Sequence, residues 1–332
     1  MKRRYFNLNI KHPCWDKELS AADYWLGERR VAPVFFGFDS VEEVMSGVIK
    51  TSLETKQKNE MLEFLNLTKM AIVQEFDPII ITIGSGHAWI YRPIGVPKSG
   101  AKLEFQRNGK MASDVPKYYA LEFIADKIPI ARIPYILASM KTNQAFSRGT
   151  FREIRSVAAD ELASYRGNIA AIQSIIGWEP GFSVDPLECI SSIEFETLIA
   201  KLFESNGFFV PAHRGGGLKD VDLFAYLERE FENRLLNVGQ KSVLSIQAKM
   251  AVRNRGMRIK LGEWLQSSSE NYLITLETRP SLELMKFSDE GRYLTRDWIK
   301  SAVGSVPAVN GWLSRSLQWA DPGNGYSATW PL

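Results

Sequence analysis

The chain has 332 residues, of which 45% are hydrophobic and 24% charged, and its formal net charge is +3. This composition is typical of a soluble globular protein of two domains. No apolar run is long enough to span a bilayer, and the basic amino terminus is too short and polar for a signal peptide, so we expect a cytoplasmic protein. The two cysteines, Cys14 and Cys189, lack Cys-x-x-Cys spacing and the three histidines are scattered, which argues against a disulfide framework, a cysteine zinc site or a histidine cluster.

Residues 1–155 alternate short apolar runs with turn signals and predict a mixed α+β domain, a twisted barrel with a few helices. Buried strands are predicted at 34–38 and 79–83. The glycine-containing turn at 84–86 predicts a hairpin into a strand at 88–92, and 118–124 forms another strand. A helical stretch is expected at 41–67.

A helical connector is predicted at residues 156–185. Apolar residues recur with helical spacing from Ile154 to Ile176, and the sequence Trp-Glu-Pro-Gly at 178–181 breaks the pattern. We therefore place the second domain at 186–332.

The second domain predicts an α/β fold with a central mixed sheet flanked by helices. Its first helix ends at Gly207 and carries a core-facing stripe of apolar residues: Phe195, Leu198, Ile199, Leu202 and Phe203. Strands are expected at 208–210, 221–227, 242–250 and 272–276. Another helix is expected from 294–300, with Thr295 as its N-cap.

Three separated residue groups in this domain suit the hydrolysis of a phosphodiester. Glu196 lies on the first helix, Asp222 in a strand, and Gln247 and Lys249 in the next strand. Because strand side chains alternate, Gln247 and Lys249 share a face, and Asp222 can lie beside them if the two strands are neighbours. Carboxylates hold a divalent cation and a lysine activates the attacking water.

Each member of this group has an ordinary alternative. A single lysine in a strand is most often solvated, a single glutamine is usually a surface amide, and aspartates near glycines commonly form turns. We assign the turn to Asp220. Ser191 and Glu194 match a capping box, which gives Glu194 a structural role and leaves Glu196 as the candidate acid.

A basic run at residues 249–260 predicts contacts with a phosphate backbone. It has five basic residues and no acid, and four of them are candidate DNA contacts: Arg253, Arg255, Arg258 and Lys260. A solvated charge run is the alternative.

The second domain resembles the Mrr-type branch of the PD-(D/E)xK nuclease superfamily. The resemblance covers about 186–302 and is carried by Ile-Glu-Phe-Glu at 193–196, Gly-Phe-Phe-Val at 207–210, Asp-Val-Asp-Leu at 220–223, Gln-Ala-Lys at 247–249 and the run 294–300. It implies a restriction-endonuclease-like sheet, with Asp222, Glu196 and Gln247 as ligands of Mg²⁺ (or Mn²⁺) and Lys249 beside the attacking water. A glutamine in place of an acid implies a single, more weakly held cation.

The first domain resembles, less specifically, the EVE/PUA-like fold of modified-base readers. The resemblance covers about 5–155 and rests on the order of the segments 79–92, 118–124, 133–137 and 146–151. It implies a pocket in which aromatic side chains stack on an extruded base, with Trp25, Trp89 and Tyr91 as candidates and Trp15 as a weaker one. The alternative for each aromatic residue is a place in the core.

Together the two resemblances imply a modification-dependent, type IV-like restriction endonuclease of antiviral defence. It would cut double-stranded DNA near a modified base, as a homodimer or larger assembly because two strands require two active sites. The alternatives are a structure-selective recombination or repair nuclease and a DNA-binding module without catalysis. A nucleotide-binding enzyme is disfavoured, because neither glycine run is followed by a phosphate-loop or dinucleotide signature.

Overall fold

Two structural units make up the chain in a computed structural model, one comprising Met1–Arg155 with Ile175–Gly177 and the other Ser156–Ser174 with Trp178–Leu332. The residues it describes are 1–10, 20–84, 86–107, 110–141, 150–154, 163–180, 184–211, 221–228, 236, 243–252 and 255–317. Among them, none of the helices combines the length and apolar character needed to cross a bilayer.

The first unit contains a mixed sheet in the order β2-β7-β4-β3-β1-β8 and a separate β5-β6 hairpin. Among the described strand pairs of this sheet, β1–β3 is parallel and the other four are antiparallel. Bulges shift the register of the long β4–β7 pair at three places, and bulges curl a sheet. The strands are β1 Lys2–Leu8, β2 Val31–Val34, β3 Phe76–Ile83, β4 His87–Ser99, β5 Leu103–Arg107, β6 Lys110–Asp114, β7 Lys117–Pro129 and β8 Phe151–Glu153.

The predicted β3–β4 hairpin is confirmed. The expected strand at 34–38 is wrong, because β2 spans Val31–Val34 and residues 35–38 lie outside it. Residues 135–138 form a helical turn. The helices are α1 Val41–Met45, α2 Thr55–Leu65, α3 Leu67–Val73 and α4 Tyr135–Ala138, with a π-type segment at Asp23–Glu28 and 3-10 turns at Ile130–Arg132 and Ser139–Lys141.

The predicted helix at 41–67 is interrupted after Met45. Gly47 adopts a left-handed conformation with φ of 85°, which ends the helix. The buried carboxylate of Asp39 then accepts hydrogen bonds from the backbone amides of Lys50 and Thr51, both at 2.9 Å. These bonds fix an extended loop before α2.

The second unit contains a five-stranded mixed sheet in the order β13-β12-β11-β10-β9. The β9–β10 and β10–β11 pairs are antiparallel, while β11–β12 and β12–β13 are parallel. The strands are β9 Phe208–Phe209, β10 Leu223–Leu227, β11 Val243–Lys249, β12 Asn271–Thr275 and β13 Tyr293–Leu294. The helices are α5 Ala163–Ile176, α6 Ser192–Glu204, α7 Arg255–Ser267, α8 Met285–Asp289, α9 Arg296–Ser305 and α10 Pro307–Ser316, with 3-10 turns at Pro186–Glu188 and Leu282–Leu284.

Helices cover both faces of this second sheet. On one face Leu244, Ile246 and Ala248 of β11 join a core cluster with apolar residues of α6, α9 and α10. On the other face Leu273 of β12 packs with residues of α7, α8 and β13. Strand alternation therefore directs Gln247 and Lys249 towards the face that carries Leu273, away from α6. The predicted α/β domain with a mixed sheet and flanking helices is confirmed.

The segment predicted as a connector belongs largely to the second unit. Ser156–Ser174 is grouped with that unit, and the fully buried Ala170 of α5 is part of its core cluster with Leu187 and Ile190. The apolar periodicity that suggested a connector helix thus reflects a helix whose apolar side packs into a core.

Candidate active site

The first helix of the second unit is fixed by the predicted capping box. Ser191 Oγ accepts a hydrogen bond from the Glu194 amide at 3.2 Å, and the Glu194 carboxylate accepts one from the Ser191 amide at 2.7 Å. Burial raises the pKa of Glu194, although the hydrogen bonds from Ser191 oppose this effect. Glu194 is therefore a structural residue, as predicted.

The pairing of β10 with β11 sets the geometry of the candidate site. The register pairs Leu223 with Ile246 and Tyr226 with Val243, and the Asp222 amide donates a 2.9 Å hydrogen bond to the Ile246 carbonyl. The condition on which the sequence analysis placed Asp222 beside Gln247 and Lys249, that these strands are neighbours, is met. Asp222 immediately precedes β10 and consequently lies beside the carboxyl-terminal end of β11.

Asp222 and Lys249 form a close, partly buried ion pair. Lys249 Nζ lies 2.7 Å from Asp222 Oδ2, and the Ala248 amide donates to the same oxygen at 2.9 Å. The Asp222 side chain is 11% exposed and that of Lys249 is 32% exposed. Oδ1 of Asp222 accepts no hydrogen bond from any residue that the structure describes. One carboxylate oxygen is thus anchored beside an ammonium group, and the other is available to a ligand.

The two remaining candidate ligands are placed differently. Gln247 shares the Lys249 face and is only 4% exposed, whereas Glu196 is half-exposed on α6, whose apolar side chains cover the opposite face of the sheet. The Asp222 carboxylate accepts hydrogen bonds from Lys249 Nζ and the Ala248 amide and makes none with Glu196 or Gln247.

The oxygen atoms that could bind a cation at this site carry little negative charge. Within the described ranges, no three His, Cys, Asp or Glu side chains gather into a group that could hold a metal ion. A cation would have to combine Asp222 Oδ1 with neutral oxygens, such as the Gln247 amide, and water. Mg²⁺ tolerates such a set because it usually keeps several of its waters. The residues present therefore fit a single, weakly held hard cation.

A buried polar network beside Lys249 was not anticipated from the sequence. Thr275 is the register partner of Lys249 on β12 and is 0% exposed. The Tyr293 hydroxyl donates to Glu277 Oε2 at 2.5 Å, and the Val252 amide donates to Glu277 Oε1 at 2.8 Å. Glu277 thereby ties the chain after β11 to the ends of β12 and β13. Its signal in the sequence is the polar alternation of Thr275 and Glu277 with the apolar Ile274 and Leu276.

The candidate DNA contacts separate into different environments. Arg255 and Lys260 are exposed on α7, whereas Arg258 is half-buried and its Nε atom is buried without a hydrogen-bond partner among the residues that the structure describes. Arg253 lies outside the described residues. The basic run is therefore not a uniform solvated face.

Two of the candidate base-pocket residues lie in the core of the first unit. Trp89 and Tyr91 are 0% exposed, and the Tyr91 hydroxyl is within 2.8 Å of Thr82 Oγ1. Their strand, β4, lies between β3 and β7 in the sheet, and residues 88–91 are buried on both faces. Neither ring presents a face to a ligand, so the assignment of Trp89 and Tyr91 to a base pocket is corrected.

Trp25 is the remaining described candidate, since Trp15 lies outside the described residues. Trp25 is 8% exposed and lines a cavity of about 520 Å³ together with Tyr24 and Tyr118. Its ring contacts Tyr24 edge-on, with centroids 5.3 Å apart, and Phe35 at 5.9 Å. The cavity therefore has aromatic walls, with tyrosines that the sequence analysis did not select.

Searches of family models, curated proteins and solved structures returned no match to this chain.

Proposed function

We propose that the chain is a metal-dependent DNA endonuclease whose second unit is a restriction-endonuclease-like domain. The observation that carries this proposal is the Asp222–Lys249 pair, with 2.7 Å between Lys249 Nζ and Asp222 Oδ2, formed where two neighbouring strands bring an acid and a lysine together. A mixed sheet covered by helices on both faces supports the assignment.

The chemistry follows from the positions of the side chains. Asp222 Oδ1 and the Gln247 amide oxygen would hold Mg²⁺ or Mn²⁺. Glu196 is left out of this ligand set, because its helix α6 covers the opposite face of the sheet. The bound ion supplies a Lewis acid for the phosphodiester oxygen. Lys249 orients the attacking water and stabilises the negative charge that develops on the phosphate. The Ala248 amide donates to Asp222 Oδ2, and that oxygen in turn holds the Lys249 ammonium in place.

The first unit would supply specificity as an EVE/PUA-like reader of a modified base. The aromatic cavity at Trp25 supports this role, because stacking between rings is how proteins hold an extruded base. If this reader limits cleavage to DNA that carries the modified base, the protein is a modification-dependent, type IV-like restriction enzyme of antiviral defence. Cutting both strands of DNA requires two sites, so the active form would be a homodimer or larger assembly.

The neutral Gln247 favours a second candidate, a DNA-binding module without catalysis. With one fewer anionic ligand, the cation is held less tightly, and the described residues do not contain an acidic cluster that compensates. The two candidates differ in a single measurable property, cleavage that requires both Mg²⁺ and Lys249.

The decisive experiment is digestion of unmodified, 5-methylcytosine and 5-hydroxymethylcytosine plasmids with Mg²⁺, Mn²⁺ or a chelator. We expect cleavage of a modified plasmid that the chelator and Lys249→Met both abolish. Binding without cleavage under every metal condition would establish the binding module. Preference for a four-way junction over any modified plasmid would establish the structure-selective nuclease. Cleavage that Lys249→Met leaves unchanged would show that the assigned site is wrong.

A further inference from the structure

A cavity of about 740 Å³ lies at the carboxyl-terminal ends of β11 and β12. We call it the arginine pocket, after the four arginines in its wall: Arg166, Arg258, Arg279 and Arg296. Met250 and Ala251 line it as well, and they directly follow Lys249 in the chain. Because consecutive Cα atoms are about 3.8 Å apart, the pocket begins within roughly one or two residue lengths of the candidate active site.

Two of the arginines and two of the acids in the wall already form ion pairs or hydrogen bonds within the protein. Glu188 pairs with Arg296 at 3.1 Å and with Arg166 at 3.4 Å, and Arg296 also donates to the Leu276 carbonyl at 2.9 Å. Glu277 is occupied by the Val252 amide and the Tyr293 hydroxyl. These groups form the frame of the pocket.

Arg258 and Arg279 have no such commitment. Neither makes an ion pair or hydrogen bond with another described residue, and Arg258 Nε is buried. A buried donor without an acceptor is destabilising, so a ligand that brings an acceptor to this wall is favoured. Ser281 Oγ is also buried in this wall and makes no well-directed hydrogen bond, although it lies near the Glu283 carboxylate.

The chemistry of these donors favours a tetrahedral oxyanion. A guanidinium presents a fork of N–H groups that matches phosphate oxygens, and a hydroxyl adds a third donor. Glu283 is fully exposed at the rim and opposes an anion, yet four arginines against Glu188, Glu277 and Glu283 leave the wall with an excess of positive charge. The volume admits a phosphate with its attached sugar.

We propose that the arginine pocket binds a phosphate group of the DNA strand, with Arg258 as the principal partner and Ser281 and Arg279 as further donors. The inference rests on the proposed function, because a strand cleaved at Lys249 carries its next phosphates along this edge of the sheet. The phosphate is either an internal diester next to the scissile one or a terminal phosphate. Both have the same oxyanion chemistry.

The test compares Arg258→Gln with Arg315→Gln, a matched control that removes an exposed arginine from α10. Fluorescence anisotropy without divalent cation measures binding to three duplexes of one sequence: a closed dumbbell without ends, an open duplex with 5′-hydroxyl ends and one with 5′-phosphate ends. We expect Arg258→Gln to weaken binding about tenfold or more and to lower the salt slope by about one, while Arg315→Gln stays within about threefold of the parent. Weakening on all three duplexes identifies an internal diester, and weakening on the 5′-phosphate duplex alone identifies a terminal phosphate.

Inorganic phosphate provides a readout that does not depend on DNA. It should raise the melting temperature of the parent chain and of Arg315→Gln, but not of Arg258→Gln. Arg258→Lys keeps the charge without the fork, and we expect its DNA affinity to lie between those of the parent and Arg258→Gln. Equal DNA affinity and equal stabilisation by phosphate in Arg258→Gln and Arg315→Gln would overturn the inference.

The two proposals fail separately in these assays. If phosphate binding depends on Arg258 but the chain never cleaves DNA, the arginine pocket is supported and the proposed nuclease function is refuted. If cleavage depends on Lys249 but Arg258 has no role in binding, the nuclease function is supported and the phosphate site in the arginine pocket is refuted.

Discussion

Replacing Lys249 by methionine separates the proposed catalytic role of its charge from its contribution to folding. Methionine keeps most of the aliphatic stem and removes the ammonium group that lies 2.7 Å from Asp222 Oδ2. The Asp222 oxygen retains its hydrogen bond from the Ala248 amide. The substitution therefore removes one interaction without opening a cavity.

The loss of stability should be modest. Exposed ion pairs contribute about 0–1 kcal/mol, and breaking a fully buried one costs about 3–5 kcal/mol. With side chains 32% and 11% exposed, this pair lies between those limits. We expect a loss of about 1–2 kcal/mol, which lowers the melting temperature of a unit of this size by roughly 3–6 °C.

The loss of cleavage should be much larger. Removing one preorganised group that stabilises charge in a transition state reduces the rate by about 10²–10³-fold. Mg²⁺-dependent nicking of supercoiled plasmid measures the rate, and a thermal melt of the same preparation measures stability. Lys201→Met is the matched control, because Lys201 lies on α6 with its ammonium 5.8 Å from the Trp312 ring. It should nick at the parental rate.

A folded Lys249→Met protein that nicks at the parental rate would refute the reasoning. So would parallel losses of nicking in Lys249→Met and Lys201→Met, because they would report general destabilisation rather than chemistry at one site.

Three other outcomes follow from single contacts. Ser191→Ala removes the N-cap of α6 and should cost about 1 kcal/mol in chemical denaturation, whereas Thr197→Ala, on the same helix and outside the cap, should cost less. Burial raises the pKa of Asp114 to about 6, so between about pH 4 and 6 the folded state binds more protons than the unfolded state and stability falls as the pH rises. Across this range the Asp114 contribution to the free energy of unfolding changes by about 2–3 kcal/mol. Asp114→Asn should remove this pH dependence in melts recorded over the same range. Trp25→Ala should reduce the preference for modified over unmodified duplex in competition binding, and Phe38→Ala, an exposed aromatic outside the cavity, should leave it unchanged.

The second unit was the more predictable part of the chain because its signals are local and periodic. The stripe from Phe195 to Phe203 and the pair Ser191 and Glu194 define α6 from sequence alone. The alternation in β11 placed Gln247 and Lys249 on one face, and the structure pairs that strand with β10. The adjacency of Asp222 and Lys249 then follows from the register.

The first unit was less predictable because burial on both faces of a strand erases the alternation. Trp89 and Tyr91 lie on one face of β4, and Ala88 and Ile90 on the opposite face are equally buried. Aromatic content therefore could not separate a pocket wall from a core. The role of Glu277 was equally inaccessible, because it depends on the Val252 amide and the Tyr293 hydroxyl, which meet only when β11, β12 and β13 are parallel neighbours.

The outermost strands of the second sheet have a consequence for self-association. Within the described residues, β9 and β13 are two residues long each, and they flank the sheet on either side. Such short edge strands offer few unpaired backbone groups to an incoming chain. Short edge strands therefore protect proteins from edge-to-edge aggregation. We therefore expect the two copies of the proposed homodimer to join through side chains of their covering helices, in an arrangement that salt or surface substitution can separate without unfolding either copy.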